Sequence, residues 1–554
     1  MPRKFLFFTE FGEILDVALH LKNEGEDVLF YIKDAEYKKV GDGMIEKCDD
    51  WHRCLGQGYV WVVDGCAHGN FQDWLRERGE SVFGGSEKGD ALENDRQLGQ
   101  KLFNQLGFRQ PKSKNFKSIE EALAFVKDNT DNRWILKQNG DAPKSINHMG
   151  KFDDNLDMIV HLEHLQKSWN ETEYGAFDCD LMEVVKGKEI AASAFWNGHD
   201  WMRNSAGKVV GFLNGEEKKE ISRNLGATTG EMGTTFLGVT EENELFQTIM
   251  LNPKLASTLE AAGFRGVFDI NGCVDEDGDF IGFEPTCRFG VPASSYEFIE
   301  GLVSSTADLI ESVAKGQDKP VEVREEVGMV MVVASKPFPI EAHLEDDQTS
   351  MGEILWFLDE DGQESLEMTG DQQDKIHLYN FFFDEDSGSY KVATDSGYLL
   401  TVTHRGRTVS GVRNDLIYYI DSNLYISGMK YRDDIGERIE QFIAEQQEEK
   451  EIIGVDFDGV IRENVDGDIE DGEMIEGAEK AIKALAKKGY SIRIFTARTD
   501  IHNVLDWLDD NFSDWRESID DVSNTKPPST VYIDDKALRF ESWEQVGKDL
   551  FELL

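Results

Sequence analysis

The stretch GFRGVFDINGCVDEDGDFIGFEPTCRFG, residues 263–290, holds two apolar runs separated by the acidic turn DEDGD. Runs rich in Val, Ile and Phe on either side of a turn with Gly and Asp predict two antiparallel β-strands. Asp269 ends the first run and Glu284 ends the second. Carboxylate oxygens are ligands that Mg²⁺ prefers, so the pair is predicted to hold a metal ion between nucleotide phosphates.

Two segments upstream of this hairpin carry further candidate nucleotide contacts. Lys137 ends the apolar run WILK, where an ammonium group can reach a phosphate. The segment LMEVVKGKE, residues 181–189, could be a hinge that offers backbone groups to an adenine ring and a carboxylate to a ribose. Strand-like runs with glycine turns and intervening helices continue from 181 to 300, which predicts α+β organisation.

Toward the N-terminus, apolar runs alternate with amphipathic stretches, a pattern that predicts a small open α/β sheet. The strand-like runs are KFLFFT at 4–9, DVLFYI at 27–32, YVWVVDG at 59–65 and SVFGG at 81–85. Residues 91–108 are predicted to form one amphipathic helix closed by glycine, and residues 118–129 a second helix capped by Ser118.

Residues 320–436 are predicted to be rich in β-strands, with charged turns between them. The predicted strands include VGMVMVVAS, EILWFL, KIHLYNFFF, YLLTVTHRG and LIYYIDS, the last at 416–422. Residues 437–450 are predicted to be a polar helix or linker, and 451–554 again alternate strand and helix. The fold class is therefore α/β and α+β in several domains.

Composition limits the compartment and the partners. The chain has 554 residues, 108 of them acidic and 58 basic, with a net charge of −50 and no basic block, so duplex nucleic acid is an unlikely ligand of the front domains. Hydrophobic residues at 40% exclude wholesale disorder. Six cysteines without C-x-x-C spacing, no signal peptide and no run of 18 apolar residues predict a cytoplasmic protein without a membrane span.

The chain ends with four motifs in order, each after or near a strand-like run. They are EIIGVDFDGVI at 451–461, FTART at 495–499, NTKPP at 524–528 and VYIDD at 531–535. Alternation along a strand points Asp456 and Asp458 the same way. Together with the following Thr, Lys and two Asp, they supply a nucleophile, a proton donor, phosphate anchors and metal ligands for phosphoryl transfer.

Residues 1–436 resemble phosphoribosylamine–glycine ligase, an ATP-grasp enzyme of purine biosynthesis. The segments that carry the resemblance are GSEKGDALENDRQLGQKLFNQLGF (85–108), WILKQNG (134–140), MEVVKGKEI (182–190), GATTGEMGT (226–234), FEPTCRFG (283–290) and GMKYRDDIG (428–436). The resemblance implies a pre-ATP-grasp α/β domain over 1–105, an ATP-grasp domain over 106–316 and a β-rich domain over 317–436.

The resemblance also implies a reaction: ATP phosphorylates a carboxylate, and an amine displaces phosphate to give an amide, with Mg²⁺ or Mn²⁺. The implied roles are ATP-phosphate contact for Lys137, adenine contact for Glu183 and Val185, ribose contact for Glu189, metal binding for Asp269 and Glu284, anion binding for Arg288, and an acceptor pocket at Thr229–Gly233.

Several positions depart from the family pattern. Glu10 and Glu13 stand where the family has a glycine-rich phosphate-binding turn. The phosphate-gripping loop reads DAPKSINHMG, with Lys144 as its obvious cation, and Thr286 replaces a metal-binding asparagine. The acidic residues that follow RFG in the family are replaced by VPAS. These departures argue against phosphoribosylamine as the substrate.

Residues 451–554 resemble phosphatases of the haloacid dehalogenase superfamily, with a Rossmann-like fold. The resemblance makes Asp456 the nucleophile and Asp458 the acid and base, and it gives phosphoryl contacts to Thr496 and Lys526. The implied Mg²⁺ site joins Asp534, with Asp535 nearby, to Asp456 and the backbone carbonyl of Asp458. Gaps of 37 and 29 residues between motifs leave no room for a large cap, so the open site suits a large substrate, a nucleic-acid end or a product of the neighbouring domain.

The leading interpretation is a bifunctional enzyme, a monomer or dimer, with small-molecule substrates. Its ligase would join a glycine-like amino acid to an amine or to a phosphorylated or nucleotide-like acceptor, and its phosphatase would remove a phosphate. Viral or secondary nucleotide modification is one setting for such a fusion. Two alternatives stay open: an ordinary purine-biosynthetic ligase with an appended phosphatase, and an inactive ATP-grasp scaffold that carries an active phosphatase.

Overall fold

The computed structural model describes residues 2–138, 147–169, 176–339, 348–358, 363–446, 451–464, 469, 472–527 and 529–535. These residues form a mixed α/β protein of several units, built around two parallel sheets at the ends of the chain and two antiparallel sheets between them. Within the described ranges, no helix has both the length and the apolar composition that a membrane crossing needs.

The first sheet has five parallel strands and confirms the open α/β sheet predicted for the N-terminus. In spatial order its strands are Glu46–Lys47, Asp27–Ile32, Lys4–Thr9, Val60–Val63 and Ser81–Phe83. The central strand is buried from Phe5 onward, as expected for a parallel strand in the middle of a covered sheet. The helices Leu15–Asn23, Gly69–Glu77 and Thr306–Lys315 contact this sheet.

The single helix predicted over 91–108 is two helices, Glu87–Asn94 and Arg96–Leu106. Asp95 separates them because its backbone is extended and its carboxylate accepts hydrogen bonds from two amides in the first turn of the second helix. The second helix ends at Gly107, which has a left-handed φ of 86°.

A four-stranded antiparallel sheet carries Lys137 and Glu183. In spatial order its strands are Ser113–Phe116, Cys179–Glu183, Trp134–Gln138 and His148–Met149. Two helices, Ile119–Asp128 and Leu156–Ser168, close a hydrophobic core of its own. Ser118 caps the first of these helices, as predicted, by accepting from the amide of Glu121.

The largest sheet has eight antiparallel strands. In spatial order they are Phe280–Thr286, Gly266–Asp275, Gly187–Trp196, Val210–Glu216, Gly233–Thr240, Val327–Ala334, Tyr398–Gly406 and Ile376–Leu378. The predicted hairpin of residues 263–290 is confirmed at one edge of this sheet. Because the sheet continues past residue 316, the predicted second and third domains share it.

Short strand pairs and helices complete the front of the chain. Two are pairs, Lys219–Ile221 with Leu225–Thr228 and Phe381–Asp384 with Ser389–Val392. A third sheet has three strands, Glu364–Ser365, Trp356–Leu358 and Leu424–Tyr425 in spatial order. The helices are Glu244–Met250, Pro253–Ala262, Ala293–Ser295, Gly370–Lys375, Val409–Asn423 and Glu440–Gln446.

The strand predicted at 416–422 is wrong, because these residues lie in the helix Val409–Asn423. The side chain of Thr408 caps the helix by accepting from the amide of Gly411. Leu416 and Ile420, four residues apart, lie on the buried face of the helix. Helical spacing of buried residues therefore outweighed the local run of aromatic and β-branched side chains.

The terminal unit has a parallel four-stranded sheet and its own hydrophobic core. Its strands in spatial order are Asp521–Ser523, Ser491–Phe495, Ile452–Asp456 and Val531–Ile533, and its helices are Ala478–Lys487 and Ile501–Asn511. The unit docks on the helix Val409–Asn423, where Arg407 forms a 2.7 Å ion pair with the buried Asp520 and Ser410 donates to Asp521 over 2.9 Å.

Candidate functional site

Three carboxylates meet at one end of the terminal parallel sheet. Asp456 is the last residue of the strand Ile452–Asp456, and Asp534 and Asp535 follow the strand Val531–Ile533. One carboxylate oxygen from each lies within 4.8 Å of the others, which no other trio of acidic, His or Cys side chains achieves within the described residues. Hard oxygen donors at this spacing fit a divalent cation such as Mg²⁺. Burial, and then Asp534, raises the pKa of Asp456 to about 6.

The predicted phosphate anchors lie at the same end of this sheet. Lys526 Nζ donates to Asp534 Oδ2 over 3.1 Å. Thr496 directly follows the strand Ser491–Phe495, and its hydroxyl lies 3.5 Å from Asp458 Oδ2. The fold therefore brings all the predicted residues of the terminal unit to one edge.

Asp458 is placed differently from the three clustered carboxylates. Its side chain is held by Arg462, whose Nη1 lies 2.9 Å from Oδ1, and by Arg498, whose Nε and Nη2 each donate over 2.9 Å. The carboxylate is thus turned toward two arginines, and metal contact through the backbone carbonyl of Asp458 stays a prediction. Sequence reasoning missed both arginines, although Arg498 lies inside the quoted FTART motif.

In the large sheet, the strand register decides how the predicted metal pair is placed. Asp269 lies opposite Thr286, and Asn271 lies opposite Glu284. The two carboxylates therefore share a face of adjacent antiparallel strands in diagonal positions, and a metal ion held by both stays a prediction. Asp269 accepts from Asn271 over 2.9 Å, and it also accepts a hydrogen bond from a second amide.

Lys137 and Glu284 lie on strands of different sheets, and the Glu284 carboxylate affects the pKa of Lys137. Burial lowers the pKa of Lys137, and the Glu284 carboxylate opposes that shift. Lys218, which sequence reasoning missed, lies 3.8 Å from Glu284 and 2.9 Å from Glu216. Lys218 and Glu284 are thus close to each other, and the Glu284 carboxylate also acts on the charge of Lys137 in the other sheet.

The other predicted nucleotide contacts lie on or beside the same two sheets. Glu183 ends its strand and accepts from the backbone amide of Lys112 over 3.4 Å, and Val185 follows it, half-buried. Glu189 is half exposed, with its carboxylate 4.0 Å from Arg438 Nη2. Lys144 lies outside the described residues.

A group of partly or fully buried carboxylates lies behind this region. Its members are Glu216, Glu231, Asp269 and Glu297. Burial raises the pKa of Glu231 and of Asp269 well above the ordinary values, and it raises the pKa of Glu297 to about 8. Glu231 lies in the predicted Thr229–Gly233 loop and accepts from Thr234. Sequence reasoning assigned none of the three glutamates a role, because isolated acidic residues are common in this chain.

The turn after the first strand presents carboxylates, as its sequence predicted. Glu10 pairs with His68 over 2.7 Å and with Lys33 over 3.0 Å. Burial raises the pKa of the neighbouring Asp64 to about 8, and its Oδ2 accepts from Thr9 over 2.6 Å. Repulsion from the Glu10 carboxylate makes the turn a poor phosphate site.

Arg288, predicted to bind an anion, lies where the N-terminal sheet meets the large sheet. Its Nε lies 3.0 Å from Glu93 and 3.2 Å from the sulfur of Cys66. Arg288 also opposes the rise in the pKa of Glu13 that burial causes. In this arrangement the guanidinium already faces carboxylates from the N-terminal unit.

Comparison with known proteins finds similarity to two ligases. No protein-family model matches it. The chain is 24% identical over 403 residues to the phosphoribosylamine–glycine ligase of Nostoc sp., covering 70% of this chain and 85% of that protein. It is 22% identical over 393 residues to the same ligase of Halalkalibacterium halodurans, covering 68% and 82%.

Solved structures agree with this similarity at the level of the fold. Phosphoribosylamine–glycine ligase of Thermotoga maritima aligns with a TM-score of 0.56 at 18% identity, over 78% of this chain and 99% of that one. The biotin carboxylase domain of Hydrogenobacter thermophilus 2-oxoglutarate carboxylase, in complex with MgADP, aligns with a TM-score of 0.51 at 11% identity, over 78% and 92%. Most of the chain has the ATP-grasp fold.

Proposed function

We propose that the front of the chain is an ATP-dependent carboxylate–amine ligase. The observation that carries this proposal is the 3.8 Å approach of Lys218 to Glu284, whose carboxylate also favours the charged form of Lys137 on the neighbouring sheet. Lysines and an accessible carboxylate between the two sheets fit the phosphates of a nucleotide and the metal ion bound to those phosphates. Similarity to two phosphoribosylamine–glycine ligases over about 70% of the chain supports the reaction class.

Similarity to the two ligases supports the following roles for the residues predicted from the sequence. Lys137 and Lys218 hold phosphate oxygens, while Glu183 and Val185 face the base and Glu189 faces the ribose. Glu284 fits a Mg²⁺ ligand because its side chain is 57% exposed and its ion pair with Lys218 is long, at 3.8 Å. When bound, the metal neutralises charge on the transferred phosphoryl group.

The proposed reaction has two steps. A carboxylate oxygen of the amino acid attacks the terminal phosphorus of ATP, and the bond to ADP breaks. The amine nitrogen of the acceptor then attacks the acyl carbon, the bond to phosphate breaks, and the nitrogen loses a proton. Positioning and charge stabilisation by the two lysines supply the catalysis that this chain contributes.

The test is ADP formation by the full chain with Mg²⁺, glycine and a panel of amines. We expect ADP release that requires both an amino acid and an amine. If none of the amino acids tested supports ATP turnover while phosphatase activity is intact, the inactive scaffold that carries a phosphatase is the interpretation that stands. Growth of purine-requiring cells that lack the ligase would instead favour ordinary purine biosynthesis, against which the carboxylates of Glu10 and Glu13 argue.

A second activity, phosphomonoester hydrolysis of the haloacid dehalogenase type, is favoured by the three carboxylates at the end of the terminal sheet. In this proposal Asp456 attacks phosphorus and the ester bond breaks, while Asp458 protonates the leaving oxygen. Asp458 then takes a proton from the water that attacks the aspartyl phosphate, which releases phosphate. Thr496 and Lys526 hold the phosphoryl oxygens, and Asp456, Asp534 and Asp535 would hold Mg²⁺.

Hydrolysis of p-nitrophenyl phosphate with and without Mg²⁺ tests the second activity. We expect turnover that EDTA abolishes and Mg²⁺ restores. The open site is consistent with a large substrate, so a 3′- or 5′-phosphorylated oligonucleotide and small phosphate esters should be compared. Absence of turnover on every ester would reject the phosphatase.

A further inference from the structure

A cavity of about 570 Å³ lies between the helix Leu15–Asn23 and the strand Ile376–Leu378, where the N-terminal part of the chain meets the large sheet. A cavity of this size can hold a ligand as large as a metabolite. None of the residues proposed above to bind a nucleotide, a metal ion or a phosphoryl group lines it. The cavity is therefore a separate candidate site, which we call the junction cavity.

The junction cavity has a buried floor and an exposed rim. Asp16 and His377, which are 3% and 5% exposed, belong to the floor. Lys22, Asn23 and Gln373 are exposed and belong to the rim. A ligand can therefore enter from solvent and reach the buried groups.

One wall of the junction cavity is apolar. It includes Met44, Phe383 and Tyr390, and the two aromatic rings lie 5.1 Å apart between their centroids. Aromatic side chains contribute large contact areas to binding sites. This wall favours a ligand that has an apolar or aromatic body.

Arg324 is the charged group of the junction cavity that lacks a partner. Its backbone amide donates to the carbonyl of Gly301 over 2.8 Å, and its half-buried side chain lines the cavity. Within the described residues its guanidinium forms no ion pair, and its Nε has no hydrogen-bond acceptor. A partly buried charge is costly unless a charge of opposite sign compensates it.

The other charged groups on the floor and walls of the junction cavity already have partners. Arg405 lies 2.7 Å from Glu300 and 3.1 Å from Glu326. Asp16 Oδ2 accepts from three hydroxyl groups at 2.9–3.1 Å, those of Ser294, Ser295 and Tyr379. Arg324 is therefore the group that calls for an anion from outside the chain.

A hydrogen-bond chain fixes which ring nitrogen of His377 carries the proton. Thr403 Oγ1 lies 3.1 Å from Glu300 Oε2 and 2.8 Å from His377 Nε2. Since Glu300, in its ion pair with Arg405, can only accept, the Thr403 hydroxyl donates to it and accepts from His377 Nε2–H. Burial lowers the pKa of His377 to about 4, so the ring is neutral and Nδ1 keeps a lone pair.

That lone pair of His377 is available to a ligand. Nδ1 has no hydrogen-bond partner within the described residues, and it is not among the side-chain atoms that the protein encloses completely. Because His377 lines the junction cavity, its Nδ1 presents an acceptor there. A ligand with an N–H or O–H group can satisfy this acceptor.

We propose that the junction cavity binds a small organic anion with an apolar body and one hydrogen-bond donor. The anionic group pairs with Arg324, and the donor reaches His377 Nδ1. Two sources share this chemistry, a carboxylic acid and a phosphate monoester, because a guanidinium pairs with either group. The site does not depend on the proposed ligase reaction, since it shares no residue with it.

The experiment is calorimetric titration of the full chain, saturated with Mg²⁺ and a non-hydrolysable ATP analogue so that the proposed nucleotide site is filled. Three probes share one aromatic body and one hydroxyl donor: 4-hydroxyphenylacetate, 4-hydroxybenzylphosphonate and the neutral 4-hydroxybenzyl alcohol. We expect at least one anion to bind about tenfold or more tightly than the alcohol. Tighter binding of the carboxylate would identify an organic acid as the ligand, and tighter binding of the phosphonate a phosphate monoester.

The variant Arg324→Gln should weaken the bound anion by about tenfold or more and change the affinity for the alcohol by less than about twofold. Arg53→Gln removes the same charge from a side chain that is 86% exposed, and it should keep every affinity within about twofold. The melting temperature without probe is measured for each variant. If Arg324→Gln does not fold, Arg324→Lys takes its place and should weaken the anion severalfold, because lysine lacks the planar fork.

The variant His377→Gln tests the donor contact. Its amide N–H can replace Nε2–H toward Thr403, but the Nδ1 acceptor is lost. We expect 4-hydroxyphenylacetate to bind about fivefold more weakly, whereas phenylacetate, which lacks the hydroxyl group, should change by less than about twofold.

Equal affinities for the alcohol and both anions, or no binding of any probe, would overturn the proposal. Anion affinity unchanged by the substitution of Arg324 would overturn it as well, because the anion would then be held elsewhere, for example at the terminal carboxylates through Mg²⁺. Equal weakening of 4-hydroxyphenylacetate and phenylacetate in His377→Gln would refute the donor contact.

Discussion

Arg498 and Asp458 form a bidentate pair, in which Nε donates to Oδ2 and Nη2 donates to Oδ1, each over 2.9 Å. The fully buried Arg462 donates to Oδ1 as well, over 2.9 Å. Two guanidinium groups therefore fix the orientation of the carboxylate proposed to protonate the leaving group. A planar guanidinium matches a carboxylate in a way that a lysine ammonium does not.

The variant Arg498→Lys should therefore lower phosphatase kcat by about tenfold or more, because Asp458 loses its bidentate partner. The measurement is steady-state hydrolysis of p-nitrophenyl phosphate, with kcat and KM determined separately. Arg516→Lys changes another arginine of the terminal unit, paired with Asp509, and serves as the control. An unchanged kcat in Arg498→Lys would mean that the pair is structural only.

The variant Asp456→Asn should abolish phosphatase turnover, by about three orders of magnitude or more, because the amide cannot attack phosphorus. Nucleotide binding by the front of the chain should not change. Asp510→Asn, at an exposed aspartate in the same unit, is the matched control. Turnover retained in Asp456→Asn would refute the assignment of the nucleophile.

Much of the fold could be predicted because local patterns agreed with the tertiary structure. The apolar run at residues 4–9 became the central strand Lys4–Thr9, and the motif residues Asp456 and Asp534 reached one edge because parallel strands share their carboxyl ends. The prediction failed at 416–422, where β-branched and aromatic residues lie in a helix. Burial of Leu416 and Ile420 on one helical face overrode their local preference.

The sites were harder to predict than the strands. The diagonal placement of Asp269 and Glu284 depends on the strand register and on an irregularity between Asn271 and Gly272, which one sequence does not show. Glu231 is one of 108 acidic residues, so its residue type alone is not informative. Arg498 acts through Asp458, a partner that lies 40 residues away in the chain.

Asp64 makes stability depend on pH. Its pKa is about 8 in the folded protein, against about 3.9 for an exposed aspartate, so the folded state holds the proton more tightly. Stability should therefore fall as pH rises from about 4 to about 8. In Asp64→Asn this loss of stability should be smaller. The free energy of unfolding of the variant, relative to that of the native chain, should therefore rise by on the order of 2 kcal/mol between pH 5 and pH 9.

Thermal unfolding of both proteins across this pH range measures the difference. Asp49→Asn, at an exposed aspartate of the same unit, should follow the native chain at every pH. Parallel pH profiles for Asp64→Asn and the native chain would show that Asp64 is ionised in the folded state at neutral pH.

The variant Glu284→Gln should weaken binding of MgATP by roughly tenfold, because a neutral amide is a poorer Mg²⁺ ligand than a carboxylate. Calorimetry with and without Mg²⁺ is the measurement, and removal of the metal should bring the variant and the native chain to similar affinities. Glu276→Gln, in the exposed turn of the same hairpin, is the control. Identical MgATP affinity in Glu284→Gln would place the metal elsewhere.

The ion pair of Arg407 with Asp520 should hold the terminal unit on the rest of the chain. The Asp520 side chain is only 1% exposed, and Arg407 lies 2.7 Å away. Arg407→Ala leaves a buried carboxylate without this partner and should destabilise the docked unit by about 2 kcal/mol or more. Faster proteolysis between the units and a lower melting temperature would report the loss of stability.

Lys483→Ala, which breaks an ion pair with Glu479 on the surface of the same unit, should lower the free energy of unfolding much less. Because most of the cost comes from the charge that Arg407 no longer offsets, adding Asp520→Asn to Arg407→Ala should recover stability. If the double variant is no more stable than Arg407→Ala, lost packing of the arginine is the cause.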